Sequence, residues 1–312
     1  MLAGLAVYGC IVAALLLSQV PPLVPQGSVA AWLTIFLAVT VQALPFLVLG
    51  VLVSGAIAAF VPSGLLGRRM PARPIAAVPM AGLAGAALPG CECGAVPIAG
   101  RLVAGGVPPA AALTFLLSAP AINPIVLVST AVAFPGRPEV VLARFLASFA
   151  TAVVVGLVWS RLGREEWVAR ARAGATPVGS RWAVLTSTAA HDFLHAGGFL
   201  VVGAMVAATL QVVVPRSLLD GLAGSGVAAV ATMAFLAVAL AICSEADAFV
   251  AASLSQFSLT SRLVFLVVGP AVDVKLVALQ AGIFGRPFAA RFAPFTLGVA
   301  VLSAVLVGWW LL

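Results

Sequence analysis

Long apolar runs, broken by short polar or glycine- and proline-rich stretches, organise the whole chain. A helix needs about 20 apolar residues to cross a bilayer. Seven runs meet that length: residues 2–20, 29–61, 107–134, 139–160, 183–214, 261–284 and 291–312. Two further apolar stretches, 75–106 and 224–257, are interrupted in the middle. In the first, PIAAVPMAGLAGAAL runs into PGCECG and AVPIAGRLVAGG follows; in the second, GVAAVATMAFLAVALAI meets CSEAD before a short return arm. Each arm is short for a full span, so both stretches predict re-entrant hairpins with functional tips. Irregular backbone at membrane depth is tolerated only inside protein or beside a water-filled cavity. The pattern predicts an all-α polytopic membrane protein.

Composition agrees. The 312 residues are 63% hydrophobic and 8% charged, with a mean hydropathy of +1.22. That balance excludes a soluble globular domain. The net charge of +7 therefore reports orientation rather than nucleic-acid binding. Arg68, Arg69 and Arg73 lie in the loop at 62–74, and Arg161, Arg164, Arg170, Arg172 and Arg181 in the loop at 161–181. Both loops are expected to be cytoplasmic, as is the one carrying Arg286 and Arg291. This needs an even number of crossings between the first two loops. Helices 107–134 and 139–160 supply two and a re-entrant hairpin none. The amino terminus is then inside and the carboxyl terminus outside. MLAGLAVYGC lacks a basic start and a clear cleavage site, so the first run reads as a retained helix. Cys10, Cys91, Cys93 and Cys243 do not form a disulfide framework pattern.

The chain also matches itself. FLVLGVLVSGAIAAFVP (46–62) aligns with FLVVGAMVAATLQVVVP (199–215) without a gap, at an offset of 153. Cys93 to Pro120 and Cys243 to Pro270 have equal length, at an offset of 150. In that register Phe115 meets Phe265 and Asn123 meets Asp273. Each repeat reads as a long helix, a hairpin, a proline-broken helix and a closing helix. That is three crossings, an odd number, so the repeats are expected to be inverted, as in many secondary transporters. The chain divides into an N-terminal helix and outer loop (1–28), repeat 1 (29–160), a basic cytoplasmic linker (161–182) and an inverted repeat 2 (183–312).

The polar residues that break the apolar pattern are the candidates for chemistry. The hairpin tips hold Cys91, Glu92 and Cys93 in one repeat and Cys243, Glu245 and Asp247 in the other. Thiolates are soft ligands suited to copper(I), zinc or arsenic-like species, so Cys91, Cys93 and Cys243 are candidate substrate ligands, and metal ligands if the substrate is a metal or metalloid. A buried cysteine alone reads as a small hydrophobe; the spacing and the repeat equivalence argue for more. Glu92, Glu245, Asp247 and Asp273 all map to membrane depth, where carboxylates usually line a cavity or a proton path. They are the proton-coupling candidates, together with Lys275, the chain's single lysine. The competing reading is structural pairing with Lys275 or Arg144. Lys275 lies two residues from Asp273, and such positions do not face each other on a helix. Its partner is expected across the repeat interface. In SAPAINPIV (118–126) and VGPAVDVKL (268–276), prolines free upstream carbonyls, which makes Pro120 and Asn123 candidate substrate contacts; the plainer reading has Asn123 capping its own backbone. In HDFLH, His191 and His195 share one helix face, more readily as a structural pair than as a metal site. No Walker A sequence and no nucleophile–base pattern stands out, so neither an enzyme nor a cofactor is expected.

CECGAVPIAGRLVAGGVP, FLLSAPAINPIVLVST, CSEADAFVAASL and GPAVDVKLVAL together resemble the ArsP-like permease family of bacterial transporters, over roughly residues 30–312. The resemblance implies efflux of trivalent organoarsenicals from the bacterial inner (plasma) membrane, with Cys91, Cys93 and Cys243 holding the substrate. Glu92 departs from the family, which carries a small residue such as serine there. The expectation is a proton-coupled permease exporting a thiophilic substrate. A soft transition-metal permease, a passive channel and a membrane redox partner are the alternatives. Expected partners are the lipid bilayer, a small thiophilic substrate and protons, with a homo-oligomer as a further expectation and no nucleic acid.

Overall fold

A computed structural model describes residues 28–312 except 63, 72, 89–90, 169–170, 172–178 and 214–225. The run at 2–20, with Cys10, lies outside the described residues, as do Arg170 and Arg172. Those described are helical and irregular, with no strand among them. In chain order the helices are α1 (Ser28–Phe60), α2 (Leu65–Arg69), α3 (Pro74–Ala86), α4 (Glu92–Ala104), α5 (Pro109–Ser118), α6 (Pro124–Ala133) and α7 (Pro138–Leu162), followed by a 3-10 turn at Glu165–Val168. Then come α8 (Arg181–Val213), α9 (Gly226–Leu240), α10 (Asp247–Ser253), α11 (Leu259–Ala271), α12 (Val274–Ile283) and α13 (Arg286–Leu311).

Among the described residues five segments are long and apolar enough to cross a membrane: Val29–Phe60, Pro138–Leu162, Arg181–Val213, Leu259–Ile283 and Arg286–Leu311. The predicted crossing at 107–134 is present as two ten-residue helices, α5 and α6. They part at Ala119–Asn123, where Pro124 has no amide hydrogen to continue the ladder and disfavours a helical residue before it. Asn123 starts α6 as its N-cap, and Asp273 starts α12 in the same way. The interrupted stretches are also pairs of helices, α3 with α4 and α9 with α10, with the cysteines at the turns.

The Gly64 amide donates to the Gly105 carbonyl at 3.1 Å, so α4 finishes beside the start of α2. The basic loops gather at that same end. A cleft of about 220 Å³ separates Pro71 and Pro74 from Trp159, Ser160 and Arg164, and the Arg291 guanidinium stacks over Trp167 at 5.1 Å. Trp159 packs edge-on against Phe288 and Phe292, tying the end of α7 to the start of α13.

The two halves interlock. α1 lies along α8, and α7 along α13. Each hairpin packs on the broken helix of its own half, α3 on α5 and α9 on α11. The return arm of each hairpin also reaches the second piece of the other half's broken helix: α4 meets α12, and α10 meets α6. These crossed contacts bring polar residues from distant parts of the sequence together. The outer faces of the long helices are apolar and exposed, as at Leu33, Leu37, Val202 and Leu306, which suits a surface in lipid rather than in water.

Candidate functional site

Both hairpin tips end in the centre of the molecule, with Cys91, Cys93 and Cys243 fully buried and unoxidised. Cys91 is the N-cap of α4, with extended backbone, and Glu92 and Cys93 form its first turn. Cys91, Cys93 and Cys243 are close enough to influence one another electrostatically. The three buried thiols thus come from both halves into one region. Among the described residues no set of three or more His, Cys, Asp or Glu is arranged to hold a metal ion.

The second tip is irregular where the first is helical. Residues 241–246 form no helix, and Ala241 has φ 47° although it is not glycine. That conformation costs an L-residue roughly 1–2 kcal/mol, and such strain persists where surrounding structure enforces it. Gln211 of α8 supplies part of that enforcement by donating its side-chain amide to the Leu240 carbonyl at 2.6 Å. This satisfies an acceptor that the end of α9 would otherwise leave open.

Beside the thiols runs a buried chain of charges. The Lys275 ammonium donates to Glu92 Oε1 at 2.7 Å and lies 3.9 Å from the Cys243 sulfur. Its distance to Asp273 Oδ2 is 3.7 Å. Ser244 Oγ donates to the other Glu92 oxygen at 3.4 Å, while the Ser244 carbonyl accepts from Arg144 Nη2 at 3.2 Å. Arg144 also donates to Asp247 Oδ2 at 2.7 Å and to Thr130 Oγ1 at 2.8 Å. Both strong ion pairs cross between halves. Lys275 of α12 meets Glu92 of α4, and Arg144 of α7 meets Asp247 of α10. Each is fully buried, where removing one partner is far costlier than the pair is stabilising.

The structure places the predicted site residues as follows. Lys275 finds its main partner across the interface, as its spacing from Asp273 implied. It also approaches Asp273 itself, because Asp273 is the N-cap and sits outside the helix, with φ −138° and ψ 172°; the rule that positions two apart diverge holds only within a helix. Asp273 Oδ1 accepts from the Leu276 amide at 2.6 Å. Asn123 does the equivalent, accepting from Val126 at 3.0 Å and donating to the Ala119 carbonyl at 2.9 Å. Its side chain therefore closes the ends of two helices. Pro120 lies in the turn between them. Glu245 stands apart from the other acids: both of its carboxyl oxygens are buried and neither has a hydrogen-bond partner.

Some residues of the site escaped the sequence reading. Ser244, which joins the two ion pairs, gave no signal beyond its place beside Cys243. A second polar group, Ser54, Arg101 and Asp192, links α1, α4 and α8. Ser54 Oγ donates to Asp192 at 2.7 Å, and Arg101 Nη2 lies 3.4 Å from the same oxygen. Arg101 stands alone in an apolar helix, which was the available hint. His191 and His195 stack in parallel at 6.0 Å, and His195 Nε2 lies 3.2 Å from the Gly282 carbonyl. They are a packing pair.

Long lipid-compatible helices around a buried polar centre, with the break at 119–123 buried inside the protein, define a multi-pass membrane protein. The family model of the ArsP_1 predicted permeases matches residues 28–309, and the chain belongs to that family. It is 34% identical over 289 residues to the UPF0718 protein YcgR of Bacillus subtilis (strain 168), covering 90% of this chain and 98% of that protein. It is 30% identical over 293 residues to a protein of Streptococcus mutans serotype c named as a two-component membrane permease complex subunit, covering 90% of this chain and 96% of the relative. No solved structure gives a significant match.

Proposed function

We propose that this permease is a secondary-active exporter of a small thiophilic substrate, of the class of trivalent organoarsenicals, in a bacterial plasma membrane with its N-terminus in the cytoplasm. The observation that carries the reading is the group of three thiols where the two hairpin tips meet. A monosubstituted arsenic(III) dihydroxide can exchange both hydroxyls for thiols. Two As–S bonds form, two As–O bonds break, and two water molecules leave with the thiol protons. Arsenic keeps its oxidation state. Two thiols suffice, and the third can accept the ligand as the halves move.

Proton coupling is the second part of the proposal. Three buried acids, Glu92, Asp247 and Asp273, and the half-buried Glu245 share two buried cations, Lys275 and Arg144. An unmatched carboxylate is strongly disfavoured at this depth, so the surplus calls for protons. Glu245, which is in neither ion pair, is the residue assigned to load and release one. The re-entrant geometry of the hairpins and the inverted repeat belong to the same proposal, and rocking of one half against the other would expose the tips to each side in turn.

Everted vesicles test both parts. With a trivalent phenyl- or methylarsenical as substrate, Cys91→Ser, Cys93→Ser or Cys243→Ser should abolish or sharply reduce uptake while the protein stays in the membrane. Full activity of the triple serine variant overturns the assignment. Glu245→Gln should lose gradient-driven uptake and retain substrate exchange.

A further inference from the structure

α3, α5 and α7 pack on one another. They close tightly at Gly156, where a Cβ would lie 2.8 Å from Val78 Cγ1 and 3.2 Å from the Ala110 carbonyl. One turn further along α7 the three helices part, and the cleft of about 220 Å³ between Pro74, Pro109, Trp159, Ser160 and Arg164 opens there. Its floor is apolar and buried, at Ala77, Val78, Ala110 and Ala111. Its mouth is basic. Arg164 lines it, Arg73 precedes Pro74 and Arg161 follows Ser160, and all three arginines are exposed. Among the described residues none of the three is in an ion pair.

The surroundings add to this charge. α3 and α5 both begin at the cleft, each with a proline in its first turn and no side-chain cap, so the partial positive charge of two helix starts joins that of the arginines. A neighbouring cleft of about 400 Å³ differs: Glu166 lines it together with Arg286, so its charge is balanced from within the protein. The other face of α3 carries exposed Ile75, Met80 and Leu83. One wall of the basic cleft therefore belongs to a lipid-facing helix.

We propose that this cleft binds the headgroup of an anionic phospholipid, with the phosphodiester on Arg164 and the glycerol end over the apolar floor. A guanidinium pairs with phosphate oxygens through parallel hydrogen bonds, and basic pockets between membrane helices suit such headgroups. Inorganic phosphate offers the same oxygens but leaves the apolar floor unfilled and loses hydration there without compensation. A choline headgroup brings its own cation to a mouth that already holds three. The lipid fits both parts of the cleft at once, and when bound it ties the first hairpin, the broken helix and α7 together at their common end. The site takes no part in the export reading above and stands or falls apart from it.

Thermal unfolding tests this. The full-length protein is purified in a neutral detergent, and dihexanoyl phosphatidylglycerol, dihexanoyl phosphatidylcholine or inorganic phosphate is added. A ligand of the folded state raises the unfolding midpoint with its concentration. Phosphatidylglycerol should raise it by several degrees and the other two by little. Arg164→Gln should remove most of that shift. Ser160→Trp, which fills the cleft from an exposed position, should remove it as well. Arg286→Gln, at the charge-balanced cleft, should leave it in place. All three positions are exposed, and midpoints without lipid close to that of the unaltered protein verify folding. Equal shifts with phosphatidylglycerol and phosphatidylcholine overturn the proposal, because they report a general lipid effect. A full shift with inorganic phosphate overturns the lipid and leaves a small-anion site. A shift retained in both Arg164→Gln and Ser160→Trp, or lost equally in Arg164→Gln and Arg286→Gln, overturns the placement in this cleft.

Discussion

Gly50 and Gly203 occupy the same place in two segments that align without a gap, yet one rests on Gly94 and the other on Lys275. Asn123 and Asp273 likewise cap helices with the same bond to the residue three positions on, and Asp273 also lies 3.7 Å from the Lys275 ammonium. The two halves thus divide the chemistry. The first tip brings two thiols and the one acid that the lysine holds most closely; the second brings one thiol, an irregular strained turn and Glu245, which is in neither ion pair.

The largest test of that division is to break one crossed ion pair. Lys275→Met should destabilise the protein by about 3–5 kcal/mol, because it strands Glu92 in a buried site. The companion Glu92→Gln/Lys275→Met variant should recover most of the loss. Thermal unfolding in detergent, read as a double-mutant cycle, measures the coupling; additive losses would show that the pair does not hold the halves together.

Close packing should be the next most sensitive feature. A methyl group at Gly50 meets the backbone of Gly94, and one at Gly203 meets the backbone of Lys275 at 2.8 Å. Gly50→Ala and Gly203→Ala should each cost about 1–3 kcal/mol, since backbone cannot move aside as a side-chain tip can. Gly198→Ala, with nothing within 4 Å, should be neutral or slightly stabilising. A neutral Gly50→Ala would mean that α1 and α4 are not held as closely as described.

The paired caps offer a finer comparison. Asn123→Ala should cost about 0.5–2 kcal/mol through loss of the cap. Asp273→Asn makes the two halves alike and keeps a capping oxygen, so its stability change should be smaller. On the proton-coupling proposal it should remove gradient-driven transport and spare exchange in the same vesicles; loss of both together would identify Asp273 as a substrate contact or a structural partner of Lys275. The smallest effect belongs to Ala241→Gly. Relief of the φ 47° conformation is offset by glycine's greater freedom in the unfolded chain, so stability should change by less than about 1 kcal/mol.

Much of this was legible in the sequence, for identifiable reasons. In lipid every backbone group must find a partner within the protein, so span lengths and breaks are written as apolar runs and prolines. That is why α3 with α4, α9 with α10, and the break between α5 and α6 could be placed from PGCECG, CSEAD and SAPAINPIV. The buried acids were conspicuous because charge is rare in such a chain. Pairing was not legible. Glu92 and Lys275 are 183 positions apart, and Arg144 and Asp247 are 103 apart; nothing local in sequence selects one cation for one acid. Arg101 was passed over because an isolated polar residue carries no periodicity, and Ser244 and Asp192 because they sit beside more conspicuous residues in CSEAD and HDFLH.

The sequence by itself determined an all-helical chain in a membrane, the places where helices stop, and the concentration of thiols and carboxyls at those stops. Only the tertiary structure decided that the three thiols gather in one buried region, that Ser244 joins two ion pairs into one network, that Glu245 lies outside both pairs, and that α8 covers its broken helix while α1 leaves its own exposed. Periodicity and local breaks depend on each residue's own environment in lipid, which composition records. Contacts between halves depend on how two rigid, interlocked sets of helices fill one volume, and that is a property of the packed chain.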